Sequence, residues 1–198
     1  MKSISWILLV CLLCLQVYAD ETREQQIEKL IKQLQDADSD VRSNAAMTLT
    51  HEISQGNIGS EVKDVIPTLT RALKDQDVGV RSSAAYALGS IGSGAKDAVS
   101  ALIRALKDQD VGVRHSAAWA LRPIGSGAKD AVPDLIRALL QDEDKSVRAA
   151  AAWALENIGK DAVPALIQAL QNPDANVRGS AAMALGNIGS EDAVPALI

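Results

Sequence analysis

The chain has 198 residues, 2 cysteines, 2 histidines and a formal net charge of −5. An acidic chain without a run of Lys or Arg offers little to a phosphate backbone or an anionic lipid surface, so neither nucleic acid nor membrane is expected as a partner. Both cysteines fall within the first 19 residues, a leader segment, and the rest of the chain therefore has no disulfide, no thiolate metal site and no cysteine nucleophile.

Met1 to Ala19 reads as an export signal. Lys2 supplies the positive start, Ile4 to Val17 is apolar apart from Ser5 and Gln16, and Val17-Tyr18-Ala19 offers a cleavage site before Asp20. The run is short for a membrane span, which needs about 20 apolar residues. Cys11-Leu-Leu-Cys14 has the spacing of a redox pair but lies inside the leader, and Val10 and Leu13 stand where a lipoprotein signal wants a small residue. A secreted or periplasmic protein is expected, carrying 19 basic and 25 acidic residues once Lys2 is lost, a net charge of −6.

From residue 20 onward the chain repeats itself. Val-Arg, preceded by acidic residues and followed by alanines, occurs at Val41-Arg42, Val80-Arg81, Val113-Arg114, Val147-Arg148 and Val177-Arg178. The arginines are 39, 33, 34 and 30 residues apart, so length varies in loops while the units stay intact. Residues 20–60 form a diverged N-terminal capping unit and 61–198 the regular ones, the last of them truncated.

Each unit reads as two helices. In "DAVPALIQAL" the first has Asp161 as expected N-cap and Pro164 in its first turn, a placement that Pro67, Pro133 and Pro195 repeat. The second starts after Asp38, Asp77, Asp110, Asp144 or Asp174, each four residues before its arginine, and stops at Gly92, Gly125, Gly159 or Gly189. Counted from the arginine, apolar residues at −1, +3, +6, +7 and +10 fall on one side of that helix. In the third unit these are Val113, Ala117, Ala120, Leu121 and Ile124. One such hairpin cannot bury its own apolar face, whereas stacked hairpins share a core. The expected fold is all-α, an α-α superhelix of about five helical hairpins and part of a sixth.

The chemistry-bearing motifs are weak. "DADSD" at Asp36 to Asp40 imitates a calcium loop, but Val41 and Met47 occupy the positions of its glycine and its final glutamate. "GSGA", at Gly92 and again at Gly125, is a turn without the lysine and strand of a phosphate loop. No nucleophile elbow or zinc spacing occurs, and no cofactor or metal is expected.

The aromatic residues are the informative ones. After the leader, every Trp, Tyr and Met lies five residues beyond an arginine: Met47, Tyr86, Trp119, Trp153 and Met183. That position is on the far side of the helix from its apolar face, with mostly small neighbours at +1 and +8, so the side chains are expected to stand uncovered in a column. Exposed aromatic and methionine side chains in a row mark an interaction site, with His115 and Arg122 as its polar rim. The alternative is that adjacent rings only pack on each other. Pro123, where other copies have Ser90, Asn157 and Asn187, is expected to kink or shorten its helix.

"DAVPALIQALQNPDANVRGSAAMALGNIG", Asp161 to Gly189, resembles a HEAT repeat of the short kind found in phycobilin-lyase-type proteins, and the resemblance covers nearly all of the chain after the leader. It implies that the second helices line a concave surface, which puts the column in a groove that holds a protein or peptide. It also implies a ladder along the stack, in which an aspartate six residues before each arginine pairs with it: Asp36, Asp75, Asp108 and Asp142 with Arg42, Arg81, Arg114 and Arg148. Asn172 breaks the pattern before Arg178, so the ladder should weaken at the fifth copy. Related HEAT-repeat hydroxylases hold two irons with several His-Glu pairs; here His51-Glu52 is one pair, and Ser116 follows His115. The reading is thus an exported, non-enzymatic protein-binding scaffold, and the alternative an enzyme or enzyme subunit related to phycobilin lyases or metal-dependent hydroxylases. The final "EDAVPALI" opens a unit that lacks a polar cap, which suggests a longer array.

Overall fold

The computed structural model describes residues 23–197. The export signal expected at Met1 to Ala19 lies outside the described residues. Ten helices follow a first helical stretch, α1, through 23–33: α2 (Ser39–Ser54), α3 (Val62–Ala72), α4 (Val78–Ile91), α5 (Val99–Ala105), α6 (Val111–Ile124), α7 (Val132–Gln141), α8 (Lys145–Ile158), α9 (Val163–Ala169), α10 (Ala175–Ile188) and α11 (Val194–Leu197). They form two layers. The even-numbered helices pack side by side in order, α2 on α4 on α6 on α8 on α10, and α4, α6, α8 and α10 each also pack on the odd-numbered helix that precedes them.

Local chemistry sets the element ends. All five expected aspartate caps hold their helices: Asp38 accepts the N–H of Asp40, Asp77 that of Val80, Asp110 those of Gly112 and Val113, Asp144 those of Ser146 and Val147, and Asp174 that of Asn176. Gly92, Gly125 and Gly159 end α4, α6 and α8 at φ of 67°, 63° and 82°, a region a side chain would strain. Each then opens a 3₁₀ turn, Gly92–Ala98, Gly125–Ala131 or Gly159–Ala162. Ala95 and Ala98, and Ala128 and Ala131, are buried in the core through these turns.

Three local expectations change. Asp161 does not cap α9: the 3₁₀ turn runs directly into that helix, Val163 donating to the Lys160 carbonyl, and Ala162 is the capping residue. Ala98 and Ala131 cap α5 and α7 in the same way. Pro67 lies inside α3 rather than in its first turn, because α3 starts at Val62 with no 3₁₀ lead-in. Pro123 neither kinks nor shortens α6, which runs 14 residues like α4 and α8. Its missing N–H falls in the last turn and its ring is exposed, so only one bond is lost.

The repeated apolar positions build one continuous core. Val113, Ala117, Ala120, Leu121 and Ile124 are buried, as are their equivalents in α8 and, in α4, Val80, Ala84, Ala87 and Leu88 with Ile91 partly buried; they meet Leu69, Leu102, Leu135 and Leu166 of the odd-numbered helices. The alanines let even-numbered helices approach closely. Gly89 is the tightest point: a Cβ there would lie 2.8 Å from the Ala120 Cα and 2.7 Å from the Trp119 ring.

Candidate functional site

The arginines run along the stack as an ordered ladder whose sense is between copies. Arg42 donates from Nε and NH2 to Asp75 at 2.7 Å and 2.7 Å, Arg81 to Asp108 at 2.8 Å and 3.0 Å, and Arg114 to Asp142 at 2.7 Å and 3.1 Å. Each aspartate thus serves the arginine of the preceding copy and not its own. The own-copy link is different: NH1 of Arg81 donates to the carbonyls of Asp75 and Gln76, and NH1 of Arg42, Arg114, Arg148 and Arg178 grips the equivalent pair. One guanidinium therefore ties its own loop to the next. The carboxylate is held in place by the N–H two residues on, as Asp108 is by Asp110 at 2.9 Å. Asp36 accepts the Asp38 N–H in the same way.

These contacts set the charge states. The Arg42 guanidinium holds the Asp75 carboxyl below its ordinary value of 3.8. Burial pushes Asp108 up, but the Arg81 hydrogen bonds, the Asp110 N–H and the neighbouring arginine charges outweigh it and leave Asp108 below that value as well. A carboxylate depressed in the folded state stabilises the fold above its unfolded pKa and loses that contribution as pH falls through the folded one. Acid titration followed by circular dichroism should therefore show stability constant above about pH 4 and falling below it. Asp75→Asn with Asp108→Asn should flatten that dependence; an unchanged acid profile would show that other carboxylates control it.

The column at +5 stands on the even-numbered helices, away from the core. Four members are open: Met47 is 52% exposed, Tyr86 45%, Trp153 43% and Met183 52%. Trp119 departs from the uncovered column, because it is only half-exposed. Its ring stacks on Tyr86, centroids 4.3 Å apart and planes 11° from parallel, and sits over Gly89. The small residue that seemed to uncover the rings is the seat of the next copy's tryptophan. No ring of the described residues stacks on Trp153. The column is thus one packed pair flanked by three free apolar side chains. His115, one position past Arg114, is half-buried, while Arg122 is exposed.

Between α2 and α4 the column borders a cavity of about 550 Å³, lined by Met47 and Tyr86 with Thr50, His51, Ser54, Ser82 and Ser83. Ser116 closes its far side, its hydroxyl 3.0 Å from that of Ser82. These hydroxyl residues carried no motif in the sequence; Ser82, Ser83 and Ser116 stand at +1 and +2 beside the column, while Thr50 and Ser54 share no repeated position. His51 faces this cavity, and Glu52 accepts a hydrogen bond from Asn57 at 2.8 Å. Asp36 and Asp38 are engaged as loop and capping acceptors, taking the backbone N–H groups of Asp38 and Asp40. Among the described residues no three His, Cys, Asp or Glu converge as metal ligands, and no helix is long and apolar enough to cross a membrane.

Two layers of repeating helices, with Arg42, Arg81 and Arg114 each tying one copy to the next, define an α-solenoid. The family model for HEAT repeats matches residues 27–122, 93–156 and 132–198. The chain belongs to the HEAT-repeat family. Among solved structures it is similar to an engineered protein with 31% identity, covering 87% of this chain and 83% of that one, at a TM-score of 0.64. It is also similar to the complex of CpcE and CpcF of phycocyanin lyase from Nostoc sp. PCC7120, with 28% identity over 84% of this chain and 66% of that one, at 0.63. A designed armadillo repeat protein, 21% identical over 85% of each chain at 0.63, shares the fold. Comparison with curated protein sequences gave no match.

Proposed function

We propose that the chain is an exported, non-enzymatic scaffold that receives a protein or peptide on the even-helix face. The single observation that carries this is the row Met47, Tyr86, Trp153 and Met183, four large apolar side chains exposed on one side of the stack, of which only Tyr86 has a ring of the described residues stacked on it. Isolated exposed apolar residues are ordinary, but a periodic row of them bordering a cavity is a surface for a partner. The packing supports a groove: α2, α4, α6 and α8 pack on one another more extensively than the odd-numbered helices, which meet largely through the 3₁₀ turns. In a curved stack the layer with the closer neighbours is the inner arc. The export signal expected at Met1 to Ala19 supports a partner outside the cytoplasm.

The likeness to the CpcE and CpcF complex favours a second reading, in which the chain is one subunit of a lyase and its partner is a second solenoid. The stability of the variants separates structural from binding residues. Trp153→Ser removes an exposed ring and should shift Tm by less than roughly 2 °C, yet weaken a partner captured from the extracellular fraction at least about tenfold. Trp119→Ser should lower stability, since it removes the ring stacked on Tyr86. Equal affinity in wild type and Trp153→Ser would sink the groove reading. Release or transfer of a chromophore by the purified pair, seen in visible absorbance, would favour the lyase subunit.

A further inference from the structure

The ladder has a rung without its carboxylate. Arg42, Arg81 and Arg114 each hold an aspartate of the next copy, but the equivalent residue facing Arg148 is Asn172. Asn172 Oδ1 accepts the Asp174 N–H at 2.9 Å, as the aspartates accept theirs. That orientation puts the amide NH2, a donor, where Oδ2 should receive the arginine Nε–H, and two donors cannot bond. NH1 of Arg148 is used by the carbonyls of Asp142 and Glu143, while its Nε and NH2 have no hydrogen-bond partner among the described residues.

The fourth junction is also the open one. α10 packs on α8 less extensively than any earlier even-numbered helix packs on its predecessor. A cleft of about 240 Å³ lies there, with Lys145, Arg148, Asn176 and Ser180 around a floor of Leu139 and Val177. It holds two cationic side chains and no carboxylate of its own, on a chain that is acidic as a whole.

We propose that the cleft between α8 and α10 is a carboxylate site, in which an Asp or Glu side chain of a bound protein completes the fourth rung on Arg148 with Lys145 beside it. The guanidinium is preorganised by its two loop carbonyls, as in the three occupied rungs, so the bound acid meets the fork it fits bidentately. Ala149, also in the lining, lies one helical turn from Trp153, so a partner segment with an acidic residue next to an apolar one reaches both. The choice of a protein acid as occupant rests on the scaffold reading; the site itself rests on the broken rung.

The test follows the arginine Nε–H signals by NMR at low salt. The probe is an acetylated, amidated Ala-Glu-Ala-Glu-Ala peptide, with its Gln counterpart and free glutarate as comparisons. The Arg148 signal should move toward those of Arg42, Arg81 and Arg114 with the Glu peptide alone, while the three paired signals stay in place. Asn172→Asp should fill the rung from within, raise Tm and weaken the peptide at least tenfold; Arg148→Gln should abolish its effect. No movement of the Arg148 signal, or undiminished binding in Asn172→Asp, overturns the site. Glutarate binding as tightly as the peptide overturns the protein acid as occupant. These arms fail independently of Trp153→Ser, which tests the apolar column.

Discussion

Asp142→Ala is expected to lower the unfolding free energy by about 3 kcal/mol, the larger of two single-site effects that the stacking geometry implies. The Arg114–Asp142 rung is the most enclosed of the three, with the side chains 11% and 7% exposed. Alanine removes two charge-assisted hydrogen bonds and the acceptor for the Asp144 N–H, and leaves the Arg114 charge facing a junction largely shut off from water. Because solenoid stability is built from units and the interfaces between neighbours, the loss falls on the joint between α6 and α8. Urea unfolding should therefore show an earlier and broader transition, with α1 to α6 and α7 to α10 separating. Asp142→Asn is the milder test, since it retains the Asp144 bond and reproduces the pattern found at Asn172. A loss under about 1 kcal/mol with one sharp transition would mean that apolar packing alone couples these copies.

Gly89→Val is expected to cost about 2–3 kcal/mol, the order of an overpacked core. Its Cβ would meet the Ala120 Cα at 2.8 Å, and a backbone atom cannot rotate aside, so α4 and α6 must move apart. The Trp119 ring at 2.7 Å would also be lifted from Tyr86. Thermal unfolding should show the loss, and near-ultraviolet circular dichroism should show the stacked pair disappear. Gly186, at the same repeat position in α10, has nothing within 4 Å of an added Cβ. Gly186→Ala should be neutral or stabilise by roughly 0.5–1 kcal/mol through helix propensity. If both glycines tolerate substitution equally, the close approach at Gly89 is not what limits the stack.

The second helices, their aspartate caps and their glycine stops were legible because they depend on residues within one turn of each other. Asp110 and Gly125 act on neighbouring backbone groups, so spacing along the chain is spacing in space. The starts of the first helices were less legible. Asp161 and Pro67 follow the same spacing, but a 3₁₀ turn with Ala162 buried runs straight into α9, whereas α3 has no such turn and already begins at Val62.

The candidate site divides in the same way. Periodicity alone showed that Met47, Tyr86, Trp119, Trp153 and Met183 share a face, since that is a property of one helix repeated. It could not show which of them a neighbouring copy would cover. Trp119 is seated because Gly89 belongs to the preceding copy, 30 residues earlier, whereas Trp153 is open and no ring among the described residues stacks on it.

By itself the sequence determined the repeat, the two-helix unit, the core stripe and the absence of a rung partner at Asn172, because each is written in residue type and short-range spacing. Only the tertiary structure decided that the arginines reach the next copy, that Tyr86 and Trp119 form a pair, and that a cleft opens beside Arg148. Those features arise from the rise and rotation between successive hairpins, which are set by how closely Gly89, Ala120 and Ala150 let the helices approach.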